Sequence, residues 1–285
     1  MPETTVIDWA RYAALALAED RAAEDVTTLA TVAVGLRGRA TFLAKEAGVL
    51  AGMPLARACF QALDPGCAFE QAVAEGEAFA RGSILGTVSG SARALLQAER
   101  VALNYLQRLS GTATLTRAFV DAVDGTGAVI LDTRKTTPGL RDLEKYAVRT
   151  GGGTNHRRDL SVMAMIKDNH REALAREGLS LAEGIAAIRR RTPGVAVEVE
   201  IDSLDQLEAA LAGAPEWILL DNMSASLMAE AVRRTAGRAK LEASGGVTLA
   251  TVRSIAETGV DAISAGALTH SARALDISLE LHFDA

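Results

Sequence analysis

The chain has only two cysteines, Cys59 and Cys67, in 285 residues. That is too few for a disulfide framework, and their spacing matches neither a CxxC redox motif nor a metal-ligand set, so a reducing compartment is expected. Aromatic residues are scarce at 4%, which leaves little for a surface that stacks nucleobases. An excess of positive charge is also missing: the formal net charge is -6, the opposite of a nucleic-acid binder's basic footprint. No apolar run approaches the length of a membrane span. The start carries Glu3 and Asp8 where an export signal has basic residues, and its apolar run from Ala13 to Ala18 is cut by Glu19-Asp20. A soluble, cytoplasmic protein is expected, and any anion site on it must be local.

What is abundant is aliphatic: hydrophobic residues make up 49% of the chain, enough for a large core and a smaller one. Ile7 to Ala18 has helical spacing. Arg39 to Met53 suggests two strands around Glu46-Ala47-Gly48, and Pro54 opens a helix to Leu63. Ala68 to Ala74 and Ser83 to Val88 follow as strands. A long helix begins at Ser91, is expected to break at Ser110-Gly111, and resumes from Thr112 to Val123. A domain boundary near residue 107 is expected, which gives a mixed α/β domain over residues 1–107 and an α/β barrel domain over 108–271. The tail from Leu275 to Phe283 alternates like a strand and is expected to rejoin the first domain.

In the second domain six short strands alternate with helices, the layout of a closed or partly closed barrel of parallel βα units. The strands are Val129–Leu131, Val162–Ile166, Ala196–Ile201, Trp217–Leu220, Ala239–Ala243 and Ala262–Ser264. The helices are Ser180–Arg191, Ser203–Ala212, Ser224–Thr235 and Thr248–Thr258, with Ser203, Ser224 and Thr248 as N-caps. Each strand ends in polar or glycine residues: Asp132-Thr133-Arg134-Lys135, Lys167-Asp168-Asn169-His170, Glu200, Asp221-Asn222, Ser244-Gly245-Gly246 and Ala265-Gly266. In a barrel these ends converge on the face where active sites are built.

The stretch from Leu131 to His170 holds Arg134, Lys135, Arg141, Lys145, Arg149, Arg157, Arg158, Lys167, His156 and His170. Arg141, Lys145 and Arg149 alternate with Asp142 and Glu144 as an exposed helix face does. No helical period accounts for Thr133 to Gly139 or for Asn155-His156-Arg157, which suggest an anion site. Gly151-Gly152-Gly153 are expected to let backbone approach a ligand. Gly245, Gly246 and Gly266 follow the last two strands, the usual phosphate position of a barrel. Glu198 and Glu200 share one strand face and, with Asp221, suit Mg²⁺ held by one or two carboxylates.

These motifs, LDTRKTTPGLRDLEKYAVRTGGGTNHR, IKDNH, EVEIDSL, ILLDN, LEASGG and TGVDAISAGALTHS, resemble those of the quinolinate phosphoribosyltransferases. The resemblance extends back through AERVALNYLQRLSGTAT and LAKEAGVLAG, so it covers nearly the whole chain. It implies a mixed α/β N-terminal domain followed by an incomplete, TIM-like barrel. It also implies transfer of phosphoribose from 5-phosphoribosyl 1-diphosphate to quinolinate with decarboxylation, to give nicotinate mononucleotide for NAD synthesis, in a Mg²⁺-dependent homodimer with shared active sites. On the matching positions, Arg134, His156, Arg157 and Lys167 hold quinolinate, assisted by Arg100 from the partner subunit. Lys135 and Lys167 face the diphosphate. Glu200 and Asp221 face the ribose and Mg²⁺, and Ser244, Gly245, Gly246, Ala265 and Gly266 line the 5-phosphate site. Catalytic roles go to Lys167, Glu200 and Asp221.

This chain departs from the family pattern at Glu24-Asp25, at Arg158-Asp159, and at Val162, where the family usually has aspartate. Two other functions are weighed: a same-fold relative that serves molybdenum uptake, and a catalytically silent dimeric interaction protein. The intact Asn155-His156-Arg157 and Lys167-Asp168-Asn169-His170 argue against the first; the second is expected to lose charged site residues, and only Val162 hints at that.

Overall fold

The computed structural model describes residues 6–284. The chain divides into two compact units. One holds residues 6–117 with Gly139–Gly152 and residues 272–284, and the other holds Ala118–Pro138 and Gly153–Ser271.

In the first unit, α1 (Trp9–Glu19) and α3 (Met53–Leu63) pack together. Between them in the chain lie α2 (Val26–Thr31), β1 (Arg37–Ala44) and β2 (Gly48–Val49). After α3 come β3 (Ala68–Gln71), β4 (Ala78–Phe79) and β5 (Ile84–Ser91). Ala40, Phe42 and Ala44 alternate along β1 and are buried, the period-two signature of a sheet with one face on a core. Phe42 meets Phe60 edge to face, with ring centroids 6.0 Å apart. The segments on either side of Glu46 do not form a hairpin: β1 pairs with β5, and β2 pairs with the short β4, which the sequence reading did not contain.

The helix α4 runs without interruption from Ala92 to Ala122, so Ser110-Gly111 does not break it, and the boundary expected near residue 107 falls inside it. Gly111 is there for contact: a Cβ on it would lie 1.9 Å from the Arg273 carbonyl oxygen. The tail returns as the sequence suggests. Its strand, β12 (Ile277–Phe283), pairs antiparallel with β1.

The helix α5 (Arg141–Thr150) belongs to this unit and is no solvated face. Glu144 is fully buried and Lys145 is 3% exposed, and Arg108 Nη2 donates to Glu144 Oε1 at 3.0 Å. The reading of Lys145 as an exposed helix cation is therefore wrong. Charge alternation looks the same whether a partner is water or another helix. Gly151 likewise serves packing, since a Cβ there would lie 2.4 Å from the Ala113 carbonyl oxygen of α4.

The second unit is a six-stranded, all-parallel sheet in the order β6-β11-β10-β9-β8-β7. Its strands are β6 (Val129–Leu131), β7 (Ala164–Ile166), β8 (Val197–Ile201), β9 (Trp217–Asp221), β10 (Lys240–Ser244) and β11 (Ala262–Ser264). Val199, Ile201, Ile218, Leu220, Ala243 and Ile263 are fully buried, as strands covered on both faces require. Helices α6 (Asp168–Arg176), α7 (Leu181–Arg191), α8 (Leu207–Ala212), α9 (Ala225–Thr235), α10 (Val252–Ala256) and α11 (Ala267–His270) fill the connections. Ser180 and Ser224 cap α7 and α9 through their hydroxyls. Thr248 does not cap its helix. α10 begins at Val252, and Thr251 Oγ1 instead accepts from the Thr248 N–H at 3.0 Å. Val162 precedes β7 in a loop and is 41% exposed.

Candidate active site

Most of the residues singled out lie at the C-terminal ends of the parallel strands. After β6 the chain turns at Asp132-Thr133-Arg134-Lys135. Thr133 Oγ1 accepts from the Lys135 N–H at 3.0 Å, and Thr269 Oγ1 donates to the Lys135 carbonyl at 2.7 Å. Asp132 is fully buried. Its carboxylate accepts from Asn155 Nδ2 at 2.5 Å and from the His156 N–H at 2.8 Å, which fastens the Asn155–Arg157 turn to the end of β6.

Arg157 is 8% exposed. Its Nη1 donates to the Met163 carbonyl at 2.8 Å, and Nη2 lies 3.5 Å from Met165 Sδ. Burial lowers its pKa from the ordinary arginine value, and the neighbouring Arg134 lowers it further. Arg134 Nε is buried and has no hydrogen-bond partner. Two guanidiniums that repel each other in a partly dry site, one with an unanswered N–H, are poised for a planar anion.

Lys167 follows β7, and its Nζ contacts Glu200 Oε2 on the next strand. The Lys167 side chain is 43% exposed and that of Glu200 13%, so the cation faces outward while its partner is largely covered. His170 does not turn to this site: its Nδ1 accepts from the Lys167 N–H at 3.1 Å, closing the first turn of α6.

Asp221 ends β9, and its Oδ2 accepts from Asn222 Nδ2 at 2.9 Å. Ser244, opposite it in register on β10, accepts a hydrogen bond from Ser264 Oγ at 3.0 Å. Gly245 has φ +93°, and a Cβ on it would lie 2.2 Å from Asn222 Oδ1, so no other residue fits. Gly246, also at positive φ, has open space beside it. A Cβ on Gly266 would lie 3.0 Å from both the Lys135 side chain and His270 Nε2, which places lysine, glycine and histidine together. Ala265 is 2% exposed and its N–H is taken by the Leu131 carbonyl at 3.0 Å.

Below this rim lies a cluster that the sequence reading caught only in part. His156 Nε2 is 3.2 Å from Glu198 Oε2 and 3.1 Å from Glu242 Oε2. Burial disfavours a charged ring, and the two carboxylates favour a proton on the nitrogen between them. The Arg157 N–H donates to Nδ1 at 2.7 Å, and two protons cannot meet there. This contact assigns the ring proton to Nε2. Burial and Glu242 beside it push the Glu198 carboxyl up to about 7. Glu242 was legible, because it shares a strand face with Ser244. His270 was legible as the residue one helical turn after Gly266.

Glu200 and Asp221, half-buried at adjacent strand ends, have the donor chemistry of a Mg²⁺ site completed by water or phosphate oxygen. Glu198, also considered for that ion, lies deeper and is committed to His156. Arg100 lies on α4 in the other unit, exposed, along a cleft of about 460 Å³ that Arg21 and Asp25 also line.

Two family models match the chain: the quinolinate phosphoribosyl transferase N-terminal domain over residues 25–110 and its C-terminal domain over 112–280. The nicotinate-nucleotide pyrophosphorylase (carboxylating) of Mycobacterium leprae is 47% identical over 272 residues, which cover 93% of this chain and 94% of that one. Quinolinate phosphoribosyltransferase (decarboxylating) 1b of Nicotiana tabacum is 43% identical over 283 residues, covering 94% of this chain and 80% of that one. The crystal structure of NadC from Streptococcus pyogenes superposes with a TM-score of 0.93 at 39% identity, over 99% of this chain and 100% of that one. The chain belongs to the quinolinate phosphoribosyltransferase family.

Proposed function

We propose that this protein transfers the 5-phosphoribosyl group from 5-phosphoribosyl 1-diphosphate to quinolinate, releasing diphosphate and CO₂ and forming nicotinate mononucleotide for NAD synthesis. The observation that carries this reading is the mutual crowding of Arg134 and Arg157 at the strand ends, with the Arg134 Nε unanswered. A pyridine with two adjacent carboxylates supplies the two negative charges and the planar acceptors that such a pair calls for.

In this reading Arg134, Arg157 and Lys167 orient quinolinate so that its ring nitrogen faces the anomeric carbon of the donor. Lys135 and Lys167 face the departing diphosphate. The Ser244-Gly245-Gly246 turn and Gly266 receive the 5-phosphate, where positive-φ glycines leave backbone unobstructed. Glu200 and Asp221 stabilise positive charge as it builds on the ribosyl ring. Once the pyridine nitrogen carries the ribose, its positive charge stabilises the carbanion left by the departing CO₂, and Lys167 is placed to return a proton. Most of the acceleration comes from positioning and charge, since the chemistry needs no side-chain nucleophile.

Glu200 and Asp221 would hold Mg²⁺, which when bound neutralises charge on the diphosphate. The active unit is a homodimer in which Arg100 completes the partner's site, and the compartment is the cytosol. No helix among the described residues is long and apolar enough to cross a membrane. The test is direct: quinolinate loss and nicotinate mononucleotide formation, followed with and without the ribosyl donor and Mg²⁺. No donor-dependent product from well-folded protein would sink the proposal.

A further inference from the structure

We propose that His156 is a positioning residue: clamped by Glu198 and Glu242, it fixes the Asn155–Arg157 turn and acts on quinolinate only through Arg157. The inference rests on the reading of this site as the quinolinate site.

An imidazole has two polar atoms, and the protein takes both. Nε2 faces Glu198 and Glu242 at 3.2 and 3.1 Å, and Nδ1 accepts from the Arg157 N–H at 2.7 Å. The ring is nearly covered, and both carboxylates are buried. No nitrogen is left to donate to a substrate carboxylate.

The same contacts explain why the turn has one shape. Asp132 at the end of β6 holds Asn155 and the His156 backbone, Glu198 on β8 and Glu242 on β10 hold the ring, and the ring holds the Arg157 N–H. Three strands of the sheet thus determine where the Arg157 backbone lies. Glu198 Oε1 and Glu242 Oε1 have no hydrogen-bond partner, a costly arrangement for buried carboxylates. What they return is charge: both sit within electrostatic reach of Arg157 and favour its cationic form, against burial and Arg134. The cluster therefore aims the guanidinium that meets the substrate.

Glu242→Gln removes charge without removing bulk, at a side chain that no substrate reaches. The expected result is a KM for quinolinate raised about tenfold, with the KM for the ribosyl donor within about twofold of wild type. In a His156→Ala background Glu242→Gln should add almost nothing, because the clamp is already gone. If His156→Ala raises the quinolinate KM while Glu242→Gln leaves it unchanged, or if the two effects multiply independently, the histidine touches substrate itself and the proposal is overturned. A wild-type measurement covers the case in which a variant does not fold. With four histidines in the chain, ¹⁵N-histidine spectra can assign His156, which should show a bare Nδ1 and a protonated Nε2 both before and after saturation with quinolinate. A change in that pattern on saturation refutes the proposal. Wild type that binds no quinolinate overturns the functional reading instead, while the tautomer still reports on the clamp.

Discussion

Lys167→Met isolates one charge. The methionine keeps the apolar stem, and the lost pair with Glu200 is partly exposed, so folding stability should change by less than about 1 kcal/mol. Catalysis should change far more. Two unit charges 4 Å apart at an effective dielectric of 20 interact by about 4 kcal/mol, and exposure of the lysine reduces this to roughly 2 to 4 kcal/mol. At 1.36 kcal/mol per decade that is a loss of about 30-fold to 1000-fold in kcat/KM. Glu200, left without its cation, adds repulsion toward anionic substrates. Lys167→Met with Glu200→Gln should therefore bind quinolinate better than Lys167→Met alone, even if turnover stays low because Glu200 is needed later. The assay is donor-dependent quinolinate loss, beside a thermal melt of each variant. A Lys167→Met enzyme that keeps more than a tenth of wild-type kcat/KM would falsify the placement of Lys167 among the substrate cations.

Three further outcomes are expected. Arg100→Ala and Lys167→Ala, each inactive alone, should regain about a quarter of wild-type activity when mixed under conditions of subunit exchange, since half the random dimers are mixed and each has one intact site; exchange without recovery would place Arg100 outside the partner's site. The Glu46 pKa is lowered to about 2, chiefly by the Arg273 hydrogen bond and then by the Asp276 N–H. Its folded value is below its unfolded one, so its stabilisation is full above about pH 4.5 and is lost as pH falls through about 2; Glu46→Gln should flatten the fall in melting temperature over that window, and parallel curves would show the pair to be idle. Burial pushes both Cys59 and Cys67 up to about 12, so a thiol reagent should label neither in native protein and both after denaturation; rapid native labelling would contradict the packing around them.

The barrel was legible because each of its strands is a short aliphatic run stopped by a polar or glycine residue, and parallel topology collects all those stops on one face. Ser180 and Ser224 were readable as caps for the same local reason. What the sequence concealed depends on distant partners. Lys145 alternates with acids like a surface residue, yet it is buried, and nothing near it in sequence announces that. Gly111 and Gly151 look like breaks or ligand approaches, whereas each makes room for one carbonyl of another segment. His156 was picked out for its neighbours in the motif, but its ring is directed by Glu198 and Glu242, 42 and 86 positions further on by the numbering. Only the fold brings those three together.

The pairing of β12 with β1 also sets an order of events for a nascent chain. Lys45 at the end of β1 and Glu280 on β12, which form an ion pair, are 235 residues apart. At roughly 5–20 residues per second of synthesis, β1 waits on the order of 10 to 50 seconds for its neighbour. Through that interval one side of the N-terminal sheet presents open N–H and C=O groups, the kind of edge that recruits other strands. The second unit, whose strands all fall between residues 129 and 264, can complete its sheet before that edge is covered. The half of the protein made first is thus finished last, and crowded synthesis or loss of the final strand should harm it before the barrel.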